Sequence, residues 1–381
     1  MRDVARVAGV SQAAVSYAYN QPHKLSAARR AHIFQVAASL GYAGPNPAGR
    51  NLRTGQVGAL GLMITDSLRY AFDDPATSQL LKGISEIGEL AEVTLSLLPC
   101  PLESSRVTEG SGVLVRGAVD GFLAYAMPEG HPGMRTVLSR NLPLVVIDGP
   151  NPGDLPRVGI HDREAAQQAT EYLLALDHRR IGFLVDRLVP DGTGGLVDAA
   201  RFEMTRDHVM RERLTGYRSA CQKFDVPWST TVVVEAGGFD DELSRTAAET
   251  LLDTAPVTAI VAASDLLALA ALDVAHERGL RVPEDLSVVG FDDIPSAKAA
   301  GLTTIRQPLV DKGREAAQLL LDIIGGATGR DVTLPTELVV RSTTGPAPKA
   351  VIAEQFSQAT LNSPPPLERP RPSCLPPEHE E

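Results

Sequence analysis

The stretch DVARVAGVSQAAVSYAYN, residues 3–20, decides the organisation of this 381-residue chain. Gly9 permits the left-handed backbone that ends a first helix, and Ser11 can cap a second helix by accepting a hydrogen bond from a free backbone N–H. Val15 then points inward, whereas the outward-facing residues are Gln12, Ala13, Ser16 and Tyr17. This spacing predicts a helix-turn-helix, whose second helix fits the DNA major groove. An ordinary helical hairpin with a glycine turn fits the same stretch.

The residues that follow favour the DNA-reading alternative. Ser26 can cap a third helix that runs to about Leu40, with one apolar face formed by Ile33, Val36, Ala37 and Leu40. Residues 1–55 carry seven basic side chains and one acidic side chain, a net charge of +6. Because the whole chain carries −11, the remaining residues carry −17. A basic head on an acidic body is the charge pattern of a DNA-binding module.

The sequence pattern of the head resembles that of one family. The run DVARVAGVS…VS…N, followed by LS…R, GY, PN and RNLRTG, resembles the lac repressor family (LacI/GalR) of bacterial transcription regulators. The resemblance continues to about residue 345. It implies a homodimer that binds a pseudo-palindromic DNA operator and responds to a small-molecule effector. The family usually carries a few more residues before this Asp-Val-Ala, so either Asp3 serves near the start of the first helix, where a carboxylate is favoured, or the true start lies upstream of Met1.

The resemblance also implies roles for individual head residues. Gln12, Ala13 and Tyr17 would read bases, and phosphate contacts would come from Ser11, Ser16, Asn20 and Tyr42. Gln12 favours adenine if it binds bidentately, whereas Ala13 offers only apolar contact, for example with a thymine methyl group. Many relatives have Arg where Tyr17 stands, so we expect a half-site that differs from the commonest one.

Residues 46–55 have the composition of a short hinge helix. Because so short a helix is marginal in water, we expect it to form on DNA binding. The resemblance implies that paired hinges enter the minor groove, with Arg50 as a basic flank and Leu52 as a wedge that kinks the duplex. Gly49, which replaces a typical Ala, makes this helix less favourable. A flexible linker with Leu52 packed against the body is the alternative.

From residue 57 onward, short apolar runs alternate with amphipathic segments. This alternation predicts parallel sheets covered on both faces, divided into two lobes with a cleft. The predicted strands are 57–64, 93–98, 121–125, 144–147, 181–185, 231–236, 258–262 and 287–291, and the predicted helices include 76–90, 163–176, 212–224, 265–278 and 309–324. The resemblance identifies this α/β body as a periplasmic-binding-protein-like effector domain.

Ligands of such folds bind at the carboxyl ends of strands, where several polar side chains stand. Carboxylates accept hydrogen bonds from hydroxyl groups, an arginine fork binds two acceptors, and an aromatic ring stacks on a sugar. The candidate effector-binding residues are Phe72, Asp148, Arg213, Ser264, Asp265 and Asp292. Each has a structural alternative: the aspartates could cap a helix or turn, Arg213 could be a surface charge, and Phe72 could pack. Ser264 stands where many relatives have Asn.

Residues 186–212 form a longer polar insertion, with DGTGG at 191–195. It could be a lid, but we expect a surface excursion. Trp228 is expected to pack a loop. The three cysteines (Cys100, Cys221 and Cys374) are widely separated and odd in number, which indicates free thiols.

Other functional classes find little support in the sequence. It contains no phosphate-binding loop and no Gly-x-Ser-x-Gly elbow, its histidines are scattered, and DGTGG lacks the strand-to-helix frame of a dinucleotide site. We therefore expect no catalysis, no cofactor and no metal. A solute-binding protein would share the body, but it would need export and would not carry a basic head.

Residues 346–381 contain nine prolines and no leucine heptad, so they read as a disordered tail. We expect a cytoplasmic protein, because no apolar run spans a membrane and no signal core is present. The predicted division is a small all-α helix-turn-helix head (1–45), a hinge helix (46–55), a two-lobed α/β effector-binding and dimerisation domain (56–345) and the tail. The expected partners are operator DNA, a sugar-like effector and a second copy of the chain.

Overall fold

A computed structural model describes residues 1–44, 56–65, 68–100, 107–150 and 153–349 of the chain. The predicted hinge helix, with Arg50 and Leu52, lies outside the described residues. So do Cys374 and residues 350–381 of the predicted tail.

Three helices form the head: α1 (Arg2–Val7), α2 (Gln12–Asn20) and α3 (Ala27–Ser39). Gly9, at a φ of 63°, turns the chain between α1 and α2. Ser11 and Ser26 cap α2 and α3 by accepting hydrogen bonds from backbone N–H groups, as the sequence predicts.

The core of the head is small and apolar. It contains Val4, Val15, Ile33 and Ala37, all nearly inaccessible to solvent. Leu40 was expected on the inner face of α3, but it is 45% exposed. The reason is that α3 ends at Ser39, so Leu40 no longer follows the helical periodicity.

The first lobe is built on a six-stranded parallel sheet in the order β12-β5-β4-β3-β1-β2. Apolar clusters fill both faces of this sheet, so its strands are apolar runs rather than alternating ones. Its strands are β1 (Ala59–Thr65), β2 (Thr94–Cys100), β3 (Gly121–Tyr125), β4 (Leu144–Ile147), β5 (Arg157–Gly159) and β12 (Val332–Thr333). Its helices are α4 (Leu68–Asp73), α5 (Pro75–Leu90), α6 (Val107–Arg116), α7 (Pro132–Leu138) and α14 (Leu309–Ile324).

The second lobe is built on a seven-stranded sheet in the order β13-β11-β10-β9-β6-β8-β7, parallel except at its two edges. Its strands are β6 (Ile181–Val185), β7 (Gly195–Leu196), β8 (Val232–Glu235), β9 (Ala259–Ala262), β10 (Ser287–Asp292), β11 (Thr303–Arg306) and β13 (Glu337–Val339). Its helices are α8 (Asp162–Ala175), α9 (Ala199–Glu203), α10 (His208–Lys223), α11 (Asp241–Thr254), α12 (Asp265–Glu277) and α13 (Pro295–Ala299).

The chain passes between the lobes three times: after β5, after β11 and after β12. The second passage matters most for the site, because Gln307 lies on it and Lys312 follows on α14. The segments that make these passages connect the two lobes. The ends of both sheets face one cleft between the lobes.

Glycines allow helices to cross closely in each lobe. In the first lobe, a Cβ atom at Gly83 would lie 1.9 Å from the carbonyl oxygen of Val310, and one at Gly313 would lie 2.1 Å from that of Leu80. In the second lobe, a Cβ atom at Gly216 would lie 2.2 Å from the carbonyl oxygen of Arg163. The α5–α14 and α8–α10 contacts thus depend on the missing side chains.

The eight predicted strands of the body are confirmed, three of them to the residue and the other five with ends shifted by one or two residues. The sequence did not predict β5, β7, β11, β12 or β13. Four of these strands have only two or three residues, and β11, with the sequence TTIR, has no continuous apolar run. Cys100 and Cys221 are buried free thiols. Among the described residues, no helix combines the length and the apolar character that crossing a membrane requires.

Candidate functional site

The surface of the head that the sequence assigns to DNA is formed by α2. Gln12, Ala13 and Tyr17 are exposed on it, while Val15 and Ala18 face the head core. Ser11 Oγ accepts a hydrogen bond from Ala14 N–H at 3.1 Å, so the N-terminal turn of α2 is fixed. This arrangement can present short side chains to a groove.

The predicted phosphate-contacting residues lie around that surface. Asn20 Nδ2 donates to the Ser16 carbonyl oxygen at 3.0 Å, so Asn20 lies against the last turns of α2. Tyr42 lies edge-on to Tyr19, with ring centroids 6.0 Å apart. Partial burial, with the neighbouring Tyr19, raises the pKa of Tyr42, so its hydroxyl is a neutral donor.

A cleft that is partly open to solvent separates the two lobes. Its first-lobe wall is formed where β1, β3 and β4 end, at Thr65, Tyr125 and Asp148. Its second-lobe wall is formed where β6, β9 and β10 end. The second-lobe residues include Asp186, Arg213, Ser264 and Asp292. The structure therefore brings together four of the six predicted effector residues: Asp148, Arg213, Ser264 and Asp292.

A chain of buried hydrogen bonds joins the two lobes beneath the cleft. Lys312 Nζ donates to Asp148 Oδ2 at 2.6 Å and to Gln307 Oε1 at 2.5 Å. Gln307 Nε2 in turn donates to Asp292 Oδ1. Asp148 belongs to the first lobe and Asp292 to the second, so this relay spans the boundary between lobes.

The two aspartates of this relay lie in unusual surroundings. Burial raises the pKa of Asp148, although the nearby Lys312 opposes that shift. Burial likewise raises the pKa of Asp292, opposed by Arg213. Asp148 Oδ1 is buried and has no hydrogen-bond partner among the described residues. Both residues have positive φ, 48° and 121°, a backbone strain that is typical of functional positions.

Arg213 is held rigidly on the floor of the cleft. Its Nε donates to Asp162 Oδ1 at 2.9 Å, its Nη1 donates to the Ala263 carbonyl oxygen, and its guanidinium lies 3.6 Å from the Phe291 ring centroid. Arg213 is only 5% exposed, so it is not a surface charge. It can present a fixed, charged donor to a ligand.

Ser264 and Asp186 form a second polar pair in the cleft. Ser264 Oγ donates to Asp186 Oδ1 at 2.9 Å and also accepts from Leu267 N–H at the start of α12. Burial raises the pKa of Asp186 to about 7. The carboxyl group can therefore accept or donate a hydrogen bond near neutral pH.

Sequence reasoning missed several side chains that line the cleft or support it: Asp74, Tyr125, Asp186, Arg187, Asp207, Phe239, Gln307 and Lys312. Asp186 directly follows a predicted strand, so the rule that found Asp148 and Asp292 would have found it too. Asp74 and Asp207 cap α5 and α10. Gln307 and Lys312 carry no local signal, because only the interlobe passage brings them to the site.

The insertion at 186–212 is not only a surface excursion, so that expectation is wrong in part. Leu188 is 1% exposed, and Arg187 and Asp207 line the cleft. Arg201 fixes the segment in place by donating to the carboxylates of Asp191 and Glu235. Trp228 packs on Phe183 and Phe202, as expected.

Two predicted effector residues do not line the cleft. Phe72 is 64% exposed and borders a separate surface depression beside Pro75 and Pro295, because it lies on α4, outside the strand ends. Asp265 is fully buried; it accepts from Thr304 Oγ1 at 2.6 Å and from Ile294 N–H at 2.9 Å. Its carboxylate therefore positions neighbouring loops, and Ser264 rather than Asp265 caps α12.

The lobes also touch at a second place. Glu129, in the first lobe, accepts hydrogen bonds at 3.0 Å from both terminal nitrogens of Arg211 in the second lobe. Glu129 N–H donates to the Arg206 carbonyl oxygen at 3.1 Å. Across the described residues, no group of three or more His, Cys, Asp or Glu side chains is arranged to hold a metal ion.

Comparison with known proteins supports both parts of this architecture. The head, residues 1–46, matches the family described as bacterial regulatory proteins, lacI family. Residues 170–344 match the family described as periplasmic binding protein-like domain. An HTH-type transcriptional regulator of Mycolicibacterium smegmatis is 39% identical over 346 residues, which cover 88% of this chain and 94% of the relative. The chain belongs to the lacI family of bacterial transcription regulators.

Solved structures of lacI-family proteins share the fold. The lac repressor dimer bound to operator and the anti-inducer ONPF is similar with a TM-score of 0.72 and 25% identity, over 90% of this chain and 98% of that one. The complex of the regulator CelR with cellobiose has a TM-score of 0.65 and 29% identity, over 89% of this chain and 98% of that one. As a lacI-family member, this chain is a ligand-responsive, DNA-binding transcription regulator.

Proposed function

We propose that a small, neutral, polyhydroxylated effector binds in the interlobe cleft and controls how the chain, as a homodimer, binds a pseudo-palindromic operator. One observation carries this proposal. Carboxylates of both lobes, Asp148 and Asp292, face one cleft and are joined through Lys312 and Gln307 beneath it. A ligand that engages both lobes at this point would change the angle between them.

The polar groups of the cleft favour hydroxyl groups in the ligand. Asp148, Asp186 and Asp292 supply acceptors, and Arg213 supplies a fixed donor, whereas a hydroxyl group can serve both as donor and as acceptor. Tyr125 and Phe239 supply aromatic surface for the apolar side of a sugar ring. The abundance of carboxylates disfavours phosphorylated ligands. The cellobiose complex of the relative CelR is consistent with this class.

Coupling between the cleft and DNA needs two states of the body. The Glu129–Arg211 contact and the Lys312 relay both cross the lobe boundary, so they hold one of these states. An effector shifts the equilibrium between the two states of the body only by as much as its affinities for these states differ. Coupling free energies of about 1–3 kcal/mol, roughly 5- to 150-fold in DNA affinity, are usual for such linkage.

On the DNA side, dimer symmetry would impose operator symmetry. We propose that repression is the default action, that the protein works in the cytoplasm where operators are, and that it acts as a regulator rather than an enzyme. The proposed division is a head (1–45), a hinge helix (46–55), a body (56–345) and a tail (346–381). The proposed DNA contacts are those of Ser11, Gln12, Ala13, Ser16, Tyr17, Asn20 and Tyr42, with Arg50 and Leu52 in the hinge.

The effector class can be tested with the purified full chain. Neutral monosaccharides, disaccharides and polyols are screened by thermal shift, beside their phosphorylated counterparts, and those that raise Tm are titrated into an operator-binding assay. We expect a neutral polyol to raise Tm and to change operator affinity by at least five-fold. Asp292→Ala should abolish both effects, while the variant still binds the operator.

A matched control is Asp285→Asn, which removes a carboxylate paired with Arg281 on the surface of the same lobe. It should keep the full ligand response. If Asp292→Ala responds like wild type, Asp292 does not bind the effector. If only phosphorylated compounds act, the proposed effector class is wrong.

A further inference from the structure

The surface of α2 that faces outward carries no positive charge of its own. The helix sequence QAAVSYAYN contains neither Lys nor Arg. Asn20 Nδ2 donates to the backbone carbonyl of Ser16 and lies 3.4 Å from Ser16 Oγ, so these two side chains lie together. A reader of the major groove made only from Gln12, Ala13 and Tyr17 would lack the cation that most often contacts guanine.

The turn after α2 places a cation beside that surface. A 3₁₀ turn at Pro22–Lys24 reverses the chain, fixed by hydrogen bonds from Gln21 N–H to the Tyr17 carbonyl and from Lys24 N–H to the Gln21 carbonyl. Lys24 Nζ then lies 4.9 Å from the centre of the Tyr17 ring. Both side chains are exposed, so both are available to DNA.

We propose that Lys24 and Tyr17 act together as one reader that selects a guanine in each operator half-site. This inference rests on the proposed binding of the head in the major groove. A lysine side chain is flexible, and fixing it in one place costs rotamer freedom. Stacking on an exposed ring favours the held position by about two- to five-fold. The held ammonium can donate to guanine N7 and O6.

The position of the ammonium favours a base contact over a phosphate contact. Tyr17 lies on the outward surface of α2, between Gln12 and Asn20 in the helix. A lysine held over this ring lies toward base edges when the helix enters the groove. A lysine that contacts only a DNA phosphate does not need an aromatic partner to hold it, because a phosphate attracts an ammonium group from many directions.

The test uses the full chain and DNA alone, so it does not require the effector. Wild type and Lys24→Ala are each used to select operators from a library with randomised half-sites, and affinities are then measured for guanine and for the other bases at each position. We expect Lys24→Ala to relax one guanine position per half-site, with preference there falling at least five-fold.

Substitutions at Tyr17 distinguish a role of the Lys24–Tyr17 pair from a role of Lys24 alone. Tyr17→Phe keeps the ring and should keep the guanine preference, whereas Tyr17→Leu should relax the same position as Lys24→Ala. The double variant should lose little more preference there than either single variant. Arg30→Ala is the matched control, since Arg30 lies 5.4 Å over the ring of Phe34 on α3; it should leave every half-site preference unchanged.

Two results would overturn the inference. In the first, Lys24→Ala weakens binding to all sequences equally and lowers the salt dependence by about one ion, which is the behaviour of a phosphate contact. In the second, Tyr17→Leu leaves the guanine preference intact. If wild type selects no palindrome at all, the proposed function itself fails and this inference fails with it.

Discussion

Lys312→Met removes the cation of the buried relay while keeping the shape of the side chain. The Lys312 side chain is fully buried, and its Nζ bonds Asp148 at 2.6 Å and Gln307 at 2.5 Å. Removing one partner of a buried ion pair usually costs about 3–5 kcal/mol, because the other charge stays buried without compensation. For a body of this size that corresponds to a fall in Tm of roughly 6 °C or more.

The loss of stability in Lys312→Met should be larger at high pH than at low pH. Burial raises the pKa of Asp148 and Lys312 opposes that shift, so without Lys312 the carboxyl pKa rises further. At pH 5 the variant can keep Asp148 protonated and uncharged, whereas at pH 8 the cost of burying the charge is larger. Thermal unfolding of the full chain at pH 5 and pH 8 should show a larger loss of Tm at pH 8.

Two further variants complete this test. Lys82→Met removes an exposed lysine from the same lobe and should change Tm little at either pH. Adding Asp148→Asn to Lys312→Met removes the uncompensated charge and should recover part of the stability at pH 8. Unchanged stability in Lys312→Met, or an equal loss at both pH values, would refute the account of the relay.

Two more variants probe packing and burial. Gly83→Ala should destabilise the first lobe by roughly 1–3 kcal/mol in urea unfolding, because its Cβ atom would lie 1.9 Å from the Val310 carbonyl oxygen. A Cβ atom at Gly88, on the same helix, would have no described atom closer than 3.5 Å, so Gly88→Ala should be neutral or slightly stabilising; equal effects of both substitutions would contradict the close crossing. Burial raises the pKa of Asp186 to about 7, so as pH rises this carboxyl group ionises in the unfolded state before it ionises in the folded state. The free energy of unfolding should therefore fall as pH rises from about 4 to 7. Asp186→Asn should therefore show a smaller fall in Tm between pH 5 and pH 8 than wild type, whereas Asp285→Asn should not; parallel curves for Asp186→Asn and wild type would contradict this.

The sequence predicted the elements whose signals are local. Apolar runs such as 121–125 and 144–147 predicted strands to the residue, and Ser11 and Ser26 predicted helix starts, because capping depends only on neighbours in the chain. The short strand β5, which directly precedes an interlobe passage, has three residues, too few to carry a usable periodicity. Its place is decided by the sheet it joins.

The site was harder to predict than the fold, because its residues meet only in three dimensions. The rule of polar residues after strands found Asp148 and Asp292, yet it could not find Lys312, which reaches the relay beneath the cleft from the first turn of α14. The same rule placed Asp265 in the cleft, although Thr304 and Ile294 bury its carboxylate behind the wall. Proximity in sequence does not reveal which way a side chain turns.

The central claim is that the head reads a specific DNA sequence as a dimer under control of the body. The most direct measurement is the selection of bound fragments from the host genome by the purified full chain at physiological salt. We expect enrichment of a palindrome of roughly 14–20 base pairs, the span of two half-sites. Binding without any enriched sequence, or no binding at all, would contradict the claim.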